Sequence, residues 1–287
     1  MSILDTIKNR TSCRTFKPVP LSPADKRSLE AFIRENDTGL DNERIPLTTI
    51  EKKAGEKPMK LDYGIIKGHC AYVMGASKAS VTSRVNYGYL MEKVVLKATE
   101  MSLATCWVGY FDPDYFSTDV KIENGYEIPS IVVIGYPTAA PSLLDKVVRF
   151  TARSAKRQAW DALFFNYHSK AALSPESVKR YSDSLEMVRL APSSGNTQPW
   201  RVFFDDTVNE FHFYKKPVSG RYEAKGLHEI DMGIAMSHFE LVSVYNGLSG
   251  GWIKHTEESV KAMDDLRYIA TWKYLGCYET YRKDRQK

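Results

Sequence analysis

The sequence predicts an α+β protein, with helices around a mostly antiparallel sheet and one structural unit present twice in tandem. Two observations carry that prediction. Helix-like segments near residues 88 and 233 repeat without gaps, and the strand-like runs between helices alternate too irregularly for a parallel βαβ array. Length and composition agree: 287 residues allow one large core or two small ones, and 43% hydrophobic with 26% charged residues is ordinary for a globular chain.

The repeat is read directly. GYLMEKVVLKATEMSLATCWVG from Gly88 aligns with GIAMSHFELVSVYNGLSGGWIK from Gly233, setting Met91 against Met236, Leu96 against Leu241, Leu103 against Leu248 and Trp107 against Trp252. Tyr87, Leu90, Met91, Val94, Val95, Ala98 and Met101 recur at the spacing of one helical face, as do Ala235, Phe239, Val242, Tyr245 and Leu248. Upstream, LSPADKRSLEAFI from Leu21 and LSPESVKRYSDSLEMV from Leu173 open alike. Ser22 and Ser174 suit N-caps, Pro23 and Pro175 the first helical position, and Asp25 and Glu176 the acid-favouring first turn. RTSCRTF from Arg10 has a faint echo in RSAKRQAW from Arg153. Strands are expected at 71–75, 130–137, 201–204, 211–214 and 268–274. The halves are expected at 1–150 and 151–287, sharing one core because no low-complexity linker parts them.

The duplication is unequal. APSSGNTQPW, Ala191 to Trp200, follows the second capped helix, whereas the corresponding first-half stretch NDTGLDNERIPL lacks that motif. The arginine motif is full in the first half and decayed in the second. A site needing one piece from each copy would then be complete once. Arg10, Ser12 and Arg14 alternate, so an extended backbone aims two guanidinium forks and a hydroxyl one way, a receptor for phosphate and a polar ring edge. Ser193, Ser194, Asn196 and Gln198 offer donors and acceptors, Gly195 leaves room for a flat ligand, and the prolines stiffen the loop. In TCWVGYF, Gly109 could turn its amide to a ligand; Lys146 and Arg149 could add charge to an anionic site.

Several classes are excluded. A net charge of +5 with scattered Lys and Arg argues against nucleic acid, and the basic tail YRKDRQK reads as a frayed terminus. Cys13, Cys70, Cys106 and Cys277 lack metal or disulfide spacing, which favours a reducing, cytoplasmic setting. No apolar run approaches a membrane span or a signal sequence. The six histidines form no HExxH-type pair, so no metal site is expected.

Together these pieces resemble the nitroreductase family of FMN-dependent oxidoreductases. RTSCRTF looks like its Arg-x-Ser-x-Arg/Lys-x-Phe motif, Pro192 to Trp200 like its Pro-Ser-Ser-x-Asn-x-Gln-Pro-Trp segment, 88–109 like its long helix ending in Cys-Trp-x-Gly, and 135–137 like its Gly-Tyr-Pro. Family members are usually homodimers with FMN at the subunit interface, so the resemblance implies a fused pseudo-dimer, plausibly a monomer in solution, with one FMN. It implies that Arg10 binds the FMN phosphate with Thr11 and Ser12 beside it, and that Arg14 lies against the pyrimidine edge. Pro192, Ser193, Ser194, Asn196 and Gln198 would line the ring and ribityl chain, the Val108–Gly109 backbone would approach O4 and N5, and Lys146 or Arg149 would complete the phosphate pocket. It further implies NAD(P)H as hydride donor and a nitroaromatic, quinone or enone as acceptor, with the chemistry at flavin N5 and no catalytic side chain. The alternatives are a flavin-dependent dehydrogenase or dehalogenase on the same fold, or a non-catalytic flavin-binding sensor. Val108 stands where some members carry an acidic residue. The aromatic-rich stretch 205–228 is expected to cap the pocket.

Overall fold

Two central helices organise the chain. The computed structural model describes residues 1–51, 66–138, 156–256, 259–261, 263 and 265–277. Its helices are α1 (Ile3–Asn9), α2 (Pro23–Glu35), α3 (Val81–Glu100), α4 (Ser182–Leu190), α5 (Gly220–Ala224) and α6 (Leu227–Tyr245). Helices α3 and α6 are apolar on several faces, the pattern of a helix buried all round. Leu90, Met91, Val95 and Ala98 of one, and Met232, Ala235, Met236 and Phe239 of the other, are fully buried. The two cross with backbones in contact. A Cβ on Gly88 would collide with the Ile230 carbonyl, and one on Gly233 with the Val85 carbonyl. The two contacts exchange residues related by the repeat, so the crossing point is a local two-fold axis.

A sheet lies on each side. The first has the order β1 (Thr48–Glu51), β2 (Ala71–Met74), β6 (Ile131–Gly135), β4 (Ala104–Val108), all antiparallel. The second runs β8 (Trp200–Asp205), β9 (Glu210–Lys215), β11 (Arg267–Cys277), β10 (Leu248–Ile253), also antiparallel, with β7 (Phe164–Asn166) added parallel to β8 at its edge. Strand for strand, the second order repeats the first. A small ribbon pairs β3 (Ser77–Lys78) with β5 (Tyr126–Glu127). The two-copy α+β architecture read from the sequence is therefore the one found, and all five expected strands are present. The expected boundary near residue 150 lies outside the described residues.

Three local readings differ. Strands β1, β4, β7 and β10 were not anticipated: β4 and β10 follow their helices so closely that they read as helix tails, and β10 carries Gly250 and Gly251, which weaken a strand signal. Helix α2 is capped as expected, the Ser22 hydroxyl accepting from the Asp25 amide at 3.1 Å. Its partner α4 begins at Ser182 instead of Pro175. Lys179 takes the left-handed region (φ 48°), which breaks the helix before it starts, and Ser174 caps only a turn. The RSAKRQAW echo also fails in three dimensions. Ser12 bridges Thr105 at the edge of β4, whereas the described part of the echo, 156–160, hydrogen-bonds to the Ser193–Gln198 loop, and only Phe164–Asn166 beyond it pairs with β8.

Added methyl groups at the helix crossing have nowhere to go. Gly88→Ala and Gly233→Ala should each cost about 2–3 kcal/mol in urea unfolding, the range for overpacking. Gly251→Ala, whose Cβ would meet nothing, should stay within about 0.5 kcal/mol. Equal stability of all three would contradict the backbone contact.

Candidate functional site

After α1 the chain becomes extended and is pinned to β4, where the Cys13 amide donates to the Thr105 carbonyl at 2.9 Å. Side chains then alternate. Thr11, Cys13 and Thr15 face a cavity of about 400 Å³ that Leu103, Ala104 and Pro137 also line. By the same alternation Arg10, Ser12 and Arg14 fall on the other side of the run.

The arginine face is short of partners. Arg10 Nε and Arg14 Nη1 are buried without a hydrogen bond, and Arg10 is 9% exposed. Burial pulls the Arg10 pKa down, against the opposing pull of Glu92 and Cys106. Arg157, which falls within the RSAKRQAW echo, is pushed down to about 10, by burial first and then by the charges of Arg10 and Arg189. Arg157 thus feels the positive charge of Arg10. Like charges in a partly dry place repel, and an anion between them removes that cost.

Arg157 also reaches the loop. Its guanidinium donates to Asn196 Oδ1 at 2.5 Å and to the Leu190 carbonyl at 3.0 Å. Gly195, Asn196 and Gln198 all have positive φ (59°, 57° and 49°), a strained run of the sort found at ligand clamps. Much of the loop's polarity is engaged inside the protein. The Ser193 hydroxyl accepts from the Gln198 amide at 2.9 Å, and Asn196 Nδ2 donates to the Lys156 carbonyl at 2.9 Å. Gln198 Oε1 accepts from the Gln158 amide at 3.0 Å, which makes Gln198 a strut between segments. The Ser194 amide donates to Asp231 Oδ1 at 2.9 Å, and its hydroxyl to the same oxygen at 3.2 Å. Asp231 is buried on α6; burial raises its pKa, and His228 Nδ1 lies 3.2 Å from its other oxygen. His228 Nε2 is buried and unpartnered. Pro192 leads into this loop, half-buried.

The first half keeps the shape of this loop without its side chains. Leu40–Asn42 forms the same short turn, with φ of 53° at Asp41 and 57° at Asn42. The Leu40 amide donates to Asn86 Oδ1 at 2.9 Å, and Asn86 is the repeat counterpart of Asp231. Gly39 and Leu40 stand where the second half has Ser193 and Ser194.

Two glycines of the expected site lie against protein side chains. A Cβ on Gly109 would strike Leu227, and one on Gly195 would strike Tyr222. Val108 is buried beside Gly109. Tyr222 belongs to α5, which folds over the loop: the Tyr222 and Tyr110 rings lie 6.4 Å apart, and Tyr110 donates to the Arg221 carbonyl at 3.0 Å. Buried Lys215 at the end of β9 anchors the cap, pairing with Glu223 at 2.5 Å and with Glu229. Lys146 and Arg149 lie outside the described residues.

Behind Arg10 a buried network joins both halves. His238 Nδ1 donates to the Met187 carbonyl at 2.9 Å, its Nε2 faces Glu92 Oε1 at 2.9 Å, and Trp107 Nε1 donates to Glu92 Oε2 at 2.9 Å. A carbonyl can only accept, so Nδ1 carries a proton and the His238–Glu92 pair holds one more between them. The sequence touched Arg157 only as part of the RSAKRQAW echo and gave no sign of Glu92, His228, Asp231 or His238; each acquires its partner only by folding.

A family model described as "Putative TM nitroreductase" matches residues 2–243. A Thermotoga maritima structure described as a "putative nitroreductase" superposes with a TM-score of 0.61 at 19% identity, covering 96% of this chain and 93% of that one. A Clostridium difficile nitroreductase family protein aligns at TM-score 0.42 and 22% identity, covering 52% of this chain and 92% of its own. A Bacteroides fragilis nitroreductase with bound FMN aligns at TM-score 0.41 and 16% identity, covering 50% and 92%. No curated protein matches by sequence.

Replacing Glu92 by alanine strands a buried imidazole and an indole N–H. Such a break should cost about 3–5 kcal/mol in urea unfolding, against less than about 0.5 kcal/mol for Glu100→Ala on the helix end. A Glu92→Ala chain as stable as the parent would show that the network does not hold the halves together.

Proposed function

Because the chain belongs to the nitroreductase family, we propose that it is an FMN-dependent NAD(P)H oxidoreductase with one flavin bound where the two halves meet. The observation that carries this reading is the unpaired arginine face. Arg10 and Arg14 present buried guanidinium nitrogens without partners, and Arg157 feels the positive charge of Arg10. A phosphate satisfies such a pair with charge-assisted hydrogen bonds, and a fixed cation beside an electron-accepting ring favours the reduced, more negative form.

The residues divide the work. Arg10, Ser12 and Arg157 hold the phosphate, Arg157 taking the part that the sequence assigned to Lys146 or Arg149. Arg14 meets the pyrimidine edge. Pro192, Ser193, Ser194 and Asn196 line the opposite wall, kept in shape by Asp231 and by the Gln198–Gln158 strut. The flavin, when bound, supplies the two-electron chemistry between NAD(P)H and an electron-poor acceptor such as a nitroaromatic, quinone or enone. Tyr222 and Tyr110 shield the site from water and limit the size of what enters. The counterpart site supports a single flavin: its cavity, bounded by Leu40, Asp41, Val85, Met236, Trp252 and Ile253, is about 50 Å³, well below the several hundred that a cofactor needs.

The purified chain should be yellow, or become so with added FMN, and NADH or NADPH should bleach it anaerobically. Arg10→Ala and Asn196→Ala should weaken FMN affinity about tenfold or more, the scale of one lost charge-assisted contact. A folded chain that cannot be reconstituted with FMN overturns the reading, and bound flavin inert to both nicotinamides overturns its donor.

Opening the cap should act on substrate range. Tyr222→Ala should lower KM for bulky acceptors by a few-fold while leaving flavin content unchanged. Identical profiles with large and small acceptors would remove Tyr222 from the entrance.

A further inference from the structure

The second sheet carries a group of side chains on the face turned away from α6. On β9, Phe211 and Phe213 join the main core, so Glu210 and His212 emerge together on the opposite face. The segment after β10 folds back across that face and delivers His255. One ligand atom from each of Glu210, His212 and His255 lies within 4.8 Å of the others, and His255 Nε2 is 3.0 Å from Glu210 Oε2.

We propose that Glu210, His212 and His255 bind one divalent transition metal ion, zinc by ligand type. Two imidazoles and a carboxylate suit zinc and its neighbours better than calcium or magnesium, which take oxygen ligands, and three protein ligands leave a coordination position for water.

The surroundings fit a built site. His212 Nδ1 lies 2.8 Å from the Thr271 hydroxyl, on the residue that pairs with His212 across the β9–β11 ladder. That contact leaves Nε2 to coordinate. The Tyr268 hydroxyl completes the support, 2.8 Å from Thr271 Oγ1 and accepting the His255 amide at 3.1 Å. Outer partners of this kind fix ring orientation in metal centres. Tyr167 packs on the His212 ring at 4.3 Å and walls off one side. The His255 side chain is 28% exposed, which provides an entry path. Nearby charges are mixed: Lys273 lies 3.8 Å from the other Glu210 oxygen, while Asp205, paired with His168 at 3.0 Å, adds negative potential. Histidine spacing along the chain, which lacks HExxH-type pairs, predicts no metal. Here the ligands span 45 positions and meet only across the sheet.

The test uses tag-free, full-length protein stripped with EDTA and titrated with cobalt(II), then zinc(II). One cobalt per chain should bind, giving visible d–d bands of a nitrogen- and oxygen-ligated ion that zinc displaces. His212→Ala and His255→Ala should each weaken binding more than about tenfold, and Thr271→Val about tenfold. His168→Ala should bind as the parent does. Thermal melts of the stripped variants separate loss of a ligand from loss of fold. The parent's cobalt spectrum stands even if the variants do not fold. No stoichiometric binding, thiolate charge-transfer bands, or affinity lost in His168→Ala but kept in His255→Ala would each overturn the site.

Discussion

The contact between the backbones of α3 and α6 at Gly88 and Gly233 is the constraint on which the rest of the structure depends. Only residues without a Cβ let two helices approach until one backbone meets the other's carbonyl. That approach sets the local two-fold axis. It places Asp231 under the second loop and Asn86 under the first, in equivalent positions. It also brings His238 of α6 onto Glu92 of α3, so that the network behind Arg10 closes across the axis. A bulkier residue at the crossing would move every one of these contacts, because close-packed interiors transmit displacement.

The duplication explains an asymmetry that a dimer of identical chains would not have. Both loops need a side-chain acceptor on the central helix to satisfy the amide of the tight turn, and both keep one. The serines and the arginine motif have no such structural duty in the first loop and in the second half, and there they are missing. The backbone demand is met in both copies, whereas the serines and the full arginine motif each stand in one copy alone.

Much of the fold was legible because it rests on periodicity and local chemistry. The apolar stripes of α3 and α6, the Ser22–Pro23 start of α2 and the strand runs at 71–75 and 211–214 are properties of a few neighbouring residues. The failures have equally local causes. Lys179 in the left-handed region delayed α4 beyond its Ser-Pro signal. The resemblance of RSAKRQAW to RTSCRTF is compositional: its described residues, 156–160, bond to the Ser193–Gln198 loop, whereas RTSCRTF bonds to β4. Of the site, the arginines of the N-terminal run were legible as a pair, and folding leaves Arg10 Nε and Arg14 Nη1 buried without hydrogen-bond partners.

By itself, then, the sequence determined a two-copy α+β chain, its central helices, most of its strands and the two unequal motifs. The elements follow from spacing within a dozen residues, and the duplication from matching two such stretches far apart in the chain. Tertiary structure alone decided that Arg157 answers Arg10, that Glu92 and His238 close a buried pair 146 positions apart, that Tyr222 covers Gly195, and that Glu210, His212 and His255 converge. Hydrogen bonds and charge pairs are set by distance in space, and no periodicity in the chain encodes which distant residues a helix crossing and a sheet register will bring together.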